Sequence, residues 1–403
     1  MELNKEECAY MKNMKPIYLD YNATTPVDPE VLETMLPYLK EHFGNPSSSH
    51  SYGKLTKEAV DKAREQVAKL IGSELDEIVF TSGGSESNNH AIIGTALVNR
   101  KKGKHIITSQ IEHPSVLETL RYLQERFRFK VTYTPVDKYG TVHPSDVEKA
   151  ITDQTILITL MHANNELGTI EPIQEIGQIA SERGVVFHSD AAQSCGKIQV
   201  NVDKLNVDLL TVAGHKLYAP KGIGALYIRN GTSIDNFVHG AGQEQRRRAG
   251  TENVPYIVGL GQACKIAADS VRDFGQCVKM LRDRLHKNIL DGLGADKVKL
   301  NGHPEQRLPN TLNISIQGLI GEELLRQMPE IAASTGSACH AGSTEPSAVL
   351  LAIGLDREQA LGALRLSLGR WSTREEIDEA SRLIIRNVQS KGNKKQHHAS
   401  ERV

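Results

Sequence analysis

Five times along the chain a short β-branched run gives way at once to a polar cluster, and amphipathic helical stretches fill the intervals. That alternation is the pattern of parallel strands joined by helical crossovers. Ile78 to Phe80 leads into a Gly/Ser loop, His105 to Thr108 leads to Glu112 and His113, and Ile156 to Met161 leads to His162, Asn164 and Asn165. Val185 to His188 is followed by Asp190, and Leu209 to Val212 by Gly214, His215 and Lys216. An open α/β sheet binds ligands beyond the carboxyl ends of its strands, so these clusters are expected to converge in space.

A chain of 403 residues exceeds what one compact core usually organises, so a large and a small domain are expected. The alternating pattern assigns residues 25–265 to the large, ligand-binding domain. Beyond it come long, charged helical patterns and a further α/β stretch around Leu312 to Ile316. Residues 1–24 and 266–389 are therefore assigned to the smaller α/β domain. Residues 390–403 are polar, basic and aperiodic, and read as a flexible tail.

Charge excludes some partners. The 48 basic and 49 acidic residues leave a formal net charge of -1, so no global field draws the protein to nucleic acid or to a membrane, and a small polar substrate is the simpler expectation. No apolar stretch approaches the roughly 20 residues of a membrane span. The five cysteines lack the CxxC spacing of zinc or redox sites, so no metal is expected and a reducing compartment fits. The acidic N-terminal stretch has no apolar h-region, and a cytoplasmic location is expected.

Lys216 ends the run Ala213-Gly214-His215-Lys216, where its amine can form a Schiff base with an aldehyde cofactor; a solvated turn lysine fits the same position. Asp190 lies 26 residues earlier, also at a strand end. A carboxylate there can pair with a pyridinium nitrogen and keep it protonated, or can simply cap the next helix. The stretch Thr81-Ser82-Gly83-Gly84-Ser85-Glu86-Ser87 offers backbone donors and hydroxyls at a helix start, which suits a phosphate. It is neither a P-loop nor a GxGxxG fingerprint, and a plain loop is its other reading. His113 can stack on a ring and relay protons, since imidazole titrates near neutrality, although a lone histidine is more often structural.

These stretches resemble the class V aminotransferase-like enzymes, and among them the cysteine desulfurases and the related selenocysteine lyases. The resemblance spans nearly the whole chain. It runs from Tyr18-Leu19-Asp20-Tyr21-Asn22-Ala23-Thr24-Thr25 through Gly44-Asn45-Pro46-Ser47-Ser48, His162-Ala163-Asn164-Asn165-Glu166 and Arg248-Ala249-Gly250-Thr251-Glu252-Asn253 to Arg365-Leu366-Ser367-Leu368-Gly369-Arg370. It implies a fold-type I α/β enzyme with a mostly parallel central sheet flanked by helices, using pyridoxal 5'-phosphate. Lys216 is then the Schiff-base lysine, Asp190 the partner of the ring nitrogen, His113 the stacked imidazole and proton relay, and Gln193 the partner of the ring oxygen. Asn165 falls beside cofactor and substrate, with Gly84, Ser85 and His215 on the phosphate. Thr251 would reach the phosphate from a neighbouring subunit, which implies a homodimer. Arg365 matches the arginine that holds the substrate carboxylate, a task suited to its bidentate fork.

Cys339 lies in Ser334-Thr335-Gly336-Ser337-Ala338-Cys339-His340-Ala341-Gly342-Ser343, a Gly/Ser-rich setting expected of an exposed loop rather than of a packing cysteine. In the family pattern it is the catalytic thiol, taking sulfur from L-cysteine as a persulfide, releasing L-alanine, and passing the sulfur to an acceptor such as an iron-sulfur scaffold protein. Cys195, Cys264 and Cys277 are expected to be packing residues. Two features resemble the selenocysteine lyases, which release selenium from L-selenocysteine: His340 directly after the cysteine, and Ala213 where many desulfurases carry a phosphate-binding serine. The Cys339 to Pro346 spacing and Ser343-Thr344-Glu345-Pro346-Ser347 resemble the desulfurases, and desulfurase is the expected activity. A noncatalytic scaffold would have no use for the lysine, the aspartate and the phosphate loop together.

Overall fold

The computed structural model describes residues 15–336 and 345–400. It divides into two compact units, the larger comprising Thr24–Gly275 and Gly302–Leu308, the smaller comprising the chain to Ala23, Gln276–Asn301 and the chain from Pro309. Cys8, Cys339 and His340 lie outside the described residues.

The larger unit is built on a seven-stranded sheet. Its strands are β1 (Ile78–Thr81), β2 (His105–Ser109), β3 (Lys130–Thr134), β4 (Thr155–Met161), β5 (Val186–Asp190), β6 (Leu209–Ala213) and β7 (Gly224–Ile228). Their spatial order is β1-β7-β6-β5-β4-β2-β3. The pairs β2·β3, β2·β4, β4·β5 and β5·β6 are parallel, whereas β7 runs antiparallel to both its neighbours. This is the expected α/β class, a mostly parallel sheet with helices packed against it. β4, Thr-Ile-Leu-Ile-Thr-Leu-Met, is buried along its whole length, as a strand covered on both faces must be.

Because β7 is reversed against both β1 and β6, the carboxyl ends of β1, β2, β4, β5 and β6 share one edge of the sheet. Two helices start there. α1 (Gly84–Asn99) follows β1, and α2 (Pro114–Phe127) follows β2 with Pro114 in the first turn, where its missing N–H costs nothing. The apolar core beneath includes Ile107, Ile158, Leu160, Phe187, Leu210, Val212 and Ala225.

The smaller unit holds an antiparallel sheet of β8 (Val298–Asn301), β9 (Thr311–Ile316) and β10 (Ala363–Ser367), with β9 central. Ile17–Tyr18 pairs in parallel with Ile331–Ala332. The last helix, Arg374–Ser400, runs past Ser390, where loss of apolar periodicity suggests a tail. Lys, Gln and Ala are strong helix formers, so local propensity continues the helix without an apolar stripe. Cys195 and Cys264 are buried as expected, whereas Cys277 is exposed. Its neighbour Val278 takes the buried position on the same helix, Val254–Leu293.

Candidate active site

The end of β6 turns sharply. Gly214–Lys216 form one 3-10 turn, and a side chain at Gly214 would collide with the backbone oxygen of Ile223, 2.8 Å from its Cβ position. The turn is pinned by Thr25, whose N–H and hydroxyl both donate to the carbonyl of His215, at 3.0 and 3.1 Å. Thr25 Oγ1 also accepts from Tyr218 N–H at 2.9 Å, and Tyr218 is left-handed, with φ of 65°. Lys216 is thereby presented at the sheet edge, half-buried. Burial first, then the neighbouring Lys216, Lys221, His113 and Lys197, push the His215 imidazole down to about 4. Three lysines around one neutral ring make a setting that attracts an anion.

The α1 N-terminus supplies the complementary donors. Gly83 has φ of 147°, which favours glycine, and no side chain caps the helix. The N–H groups of Gly84 and Ser85 form no hydrogen bond among the described residues, so two of the orphan donors of a helix start point outward. Ser85 adds an exposed hydroxyl. A Cβ built on Gly84 would lie 3.2 Å from that of Ala213, so the helix start sits directly on the end of β6, next to the Lys216 turn. The donor set and the open glycine start fit a phosphate.

Asp190, at the end of β5, is 6% exposed and is met by hydrogen-bond donors on both carboxylate oxygens. Its Oδ1 accepts from Ala192 N–H at 2.9 Å and its Oδ2 from the Asn88 amide at 2.7 Å. The second amide hydrogen of Asn88 goes to Ser115 Oγ at 2.8 Å, and Ser115 Oγ lies 2.8 Å from His113 Nδ1. Asn88 thus bridges the aspartate to the histidine. His113 caps α2, its Nδ1 accepting from Ser115 N–H at 3.1 Å, which leaves the ring proton on Nε2. Burial lowers the His113 pKa, Lys216 adds to this, and Asp190 opposes both.

Behind these groups lie further buried polar residues. Glu112 Oε1 accepts from Ser109 Oγ at 2.6 Å and from Met161 N–H at 3.1 Å, clasping the ends of β2 and β4 beyond their last ladder pair. Burial, reinforced by Asp190, pushes its carboxyl up to about 8 despite those bonds. His188, under Asp190, is held between Thr159 and Thr211 and is pushed by burial down to about 4. Asn164 accepts from Glu166 and Leu167 N–H and donates to Ile111 O, shaping the loop that carries half-buried Asn165. Gln193 Oε1 accepts from the Lys197 ammonium at 2.6 Å, which fixes the amide's orientation.

The structure therefore brings together His113, Asp190, His215, Lys216, Gly84 and Ser85, all in the larger unit. Thr251 is exposed and forms no hydrogen bond with them among the described residues. Arg365 belongs to the smaller unit, where it is 2% exposed and paired with Asp20 at 2.8 Å. Cys339 lies outside the described residues. Sequence reasoning missed Asn88, Ser115 and Glu112 as supporting groups. The signal for Asn88 was its place three residues after Ser85, which puts both on one face of α1.

The aminotransferase class-V family profile matches residues 17–380. The cysteine desulfurase IscS of Methanosarcina thermophila is 52% identical over 93% of this chain and 92% of its own length. Among solved structures, a NifS-like protein superposes with a TM-score of 0.87 at 37% identity, covering 93% of this chain and all of that one. SspA in complex with cysteine gives 0.77 at 39% identity, over 88% of this chain and 99% of its own.

Proposed function

The chain belongs to the aminotransferase class-V family, and on that premise we propose that it is a pyridoxal-phosphate-dependent cysteine desulfurase. What carries this reading is the meeting of Lys216, Asp190 and His113 with the open start of α1 at one sheet edge, in a chain about half identical to named cysteine desulfurases. When bound, pyridoxal phosphate supplies an electron sink that labilises the α-proton and the carbon–sulfur bond of cysteine.

Lys216 would hold the cofactor through its aldehyde carbon, and its amine would be the base that moves the α-proton. Asp190, braced by Asn88 and Ala192, would pair with the protonated ring nitrogen. His113 would lie against the ring with Nε2 as its exchangeable N–H, and Gln193 would donate to the ring oxygen. Gly84, Ser85 and His215 would bind the phosphate, joined by Thr251 of a second copy in a homodimer. Asn165 and Arg365 orient the substrate, and its carboxylate takes the guanidinium that Asp20 otherwise engages.

The Cys339 thiolate attacks the substrate sulfur. A sulfur–sulfur bond forms, the carbon–sulfur bond breaks, its electron pair stays with carbon, which takes a proton, and alanine leaves. The Cys339 persulfide is unloaded by a reductant or a sulfur-acceptor protein, such as an iron-sulfur scaffold, in the cytoplasm. Among the described residues no helix is long and apolar enough to cross a membrane.

The test is Cys339→Ala incubated with L-cysteine. Alanine formation is expected to vanish while the visible absorption of bound cofactor stays, and wild type is expected to carry one reductant-removable sulfur on Cys339 by mass. A variant that desulfurates cysteine at the wild-type rate would remove Cys339 from the mechanism. Wild type that consumes selenocysteine but not cysteine would replace the substrate.

A further inference from the structure

An acidic side chain stands where the phosphate site needs positive potential. Glu86 lies in the first turn of α1, two residues after Gly84, and its Oε2 accepts from Ser82 N–H at 2.8 Å. Its carboxylate therefore sits at the same helix start as the outward N–H groups of Gly84 and Ser85. A bare carboxylate there would offset the positive end of the helix dipole and repel a phosphate dianion.

It is not bare. Arg248, 162 residues away, meets it as a fork: Nε to Oε1 at 2.8 Å and the terminal nitrogen to Oε2 at 3.2 Å. The side chains are only 23% and 10% exposed, so solvent screens the pair weakly. Burial pushes the Glu86 carboxyl up, but the bonds from Arg248 and Ser82 outweigh it and hold the group ionised. Arg248 itself stands on a loop that closes on itself, with Ala249 N–H donating to Val238 O and Gly250 N–H to the Gln243 side chain at Oε1.

We propose that Arg248 is a positioning and charge-compensating residue for the cofactor site: by cancelling Glu86, it lets that carboxylate brace the turn after β1 while the start of α1 stays attractive to phosphate. The proposal rests on the assignment of that helix start to the cofactor phosphate. It gives Arg248 no contact with the phosphate, and it assigns a purpose to an acid that an anion site would otherwise reject.

The experiment is equilibrium binding of pyridoxal 5'-phosphate, and of pyridoxal without the phosphate, to apoprotein carrying Arg248→Met, Glu86→Gln or both. An uncompensated charge about one helical turn from the anion, at intermediate dielectric, is worth roughly tenfold or more in affinity. Arg248→Met is expected to weaken pyridoxal phosphate by about that factor and to leave pyridoxal within about twofold. Glu86→Gln alone is expected to bind pyridoxal phosphate at least as tightly as wild type, and the double variant to return to within about twofold of wild type.

A double variant as weak as Arg248→Met would overturn the proposal, since the arginine would then act on the phosphate or on the loop itself. Equal weakening of both ligands by Arg248→Met would overturn it too. If Arg248→Met does not fold, a Glu86→Gln protein that binds pyridoxal phosphate more than about threefold more weakly does the same. Wild type with no preference for the phosphorylated ligand would instead overturn the phosphate assignment, and the proposal with it.

Discussion

Replacing Asn88 by leucine would keep the volume at the centre of the site but delete both donors of the bridge. Asp190 would lose the 2.7 Å bond to Oδ2 and keep only Ala192 N–H, in a position 6% exposed. A charge-assisted bond whose acceptor stays buried is worth about 1.5–3 kcal/mol, and the second, neutral bond to Ser115 about 1 kcal/mol. The total, about 2.5–4 kcal/mol, is large because leucine leaves no room for a replacing water. For a unit of this size it corresponds to a fall in thermal midpoint of about 5–15 °C. The assay is thermal and urea unfolding of apoprotein, with ¹⁵N imidazole shifts of His113 read alongside. Those shifts are expected to move, because Ser115 Oγ loses the donor that orients it toward Nδ1. A stability loss under about 1 kcal/mol with unchanged His113 shifts would refute the bridge.

Two pH dependences follow from the buried groups behind the site. Folded Glu112 keeps its proton up to about pH 8, whereas the unfolded carboxyl loses it near 4.5, so its stabilising contribution is whole below 4.5 and is lost as pH rises to about 8. Glu112→Gln, which does not titrate, is expected to gain about 3–4 kcal/mol relative to wild type between pH 5 and 8; parallel profiles in urea unfolding would exclude the raised value. His162 has the opposite sign, because burial holds it down to about 4 while the unfolded ring titrates near 6.5. Its contribution is whole above 6.5 and is lost on acidification, so the advantage of wild type over His162→Gln is expected to shrink by about 2–3 kcal/mol from pH 7 to 4.5, and a constant difference would show that the folded ring titrates as the unfolded one does.

What could be read from the sequence was whatever the chain arranges locally. A β-branched run followed by polar residues fixes a strand and its carboxyl end, and so Asp190, Lys216 and His113 were legible, as was the meeting of their strands at one edge. The open helix start at Gly84 was legible for the same reason. Asn88 was not, because its amide works across 102 residues to Asp190 and 27 to Ser115, and only the packing of α1 on the sheet brings those atoms to bonding distance. The same holds for Arg248 and Glu86. The reversal of β7 was hidden too, since a buried antiparallel strand between strands of a parallel sheet carries the same unbroken apolar pattern as its neighbours. The helical path of the chain beyond Ser390 follows propensity alone, which a search for apolar periodicity passes over.

The segment Gly302–Leu308 belongs to the larger unit although it follows Gly275 by a whole helix end and a strand. Its contacts are with the loop that carries Asn165: Ile170 N–H donates to Gln306 O, Leu308 N–H to Gly168 O, Arg307 to Leu167 O, and His303 N–H to Thr169 Oγ1. During synthesis the ribosome will have delivered all seven strands of the sheet long before these partners emerge. A fragment ending at Gly275 would hold the whole sheet and the whole Lys216 turn, yet leave the loop that carries Asn165 without its outer brace. The order of translation and the order of completion therefore differ, and a nascent chain has its Lys216 turn in place before the loop that carries Asn165 is braced.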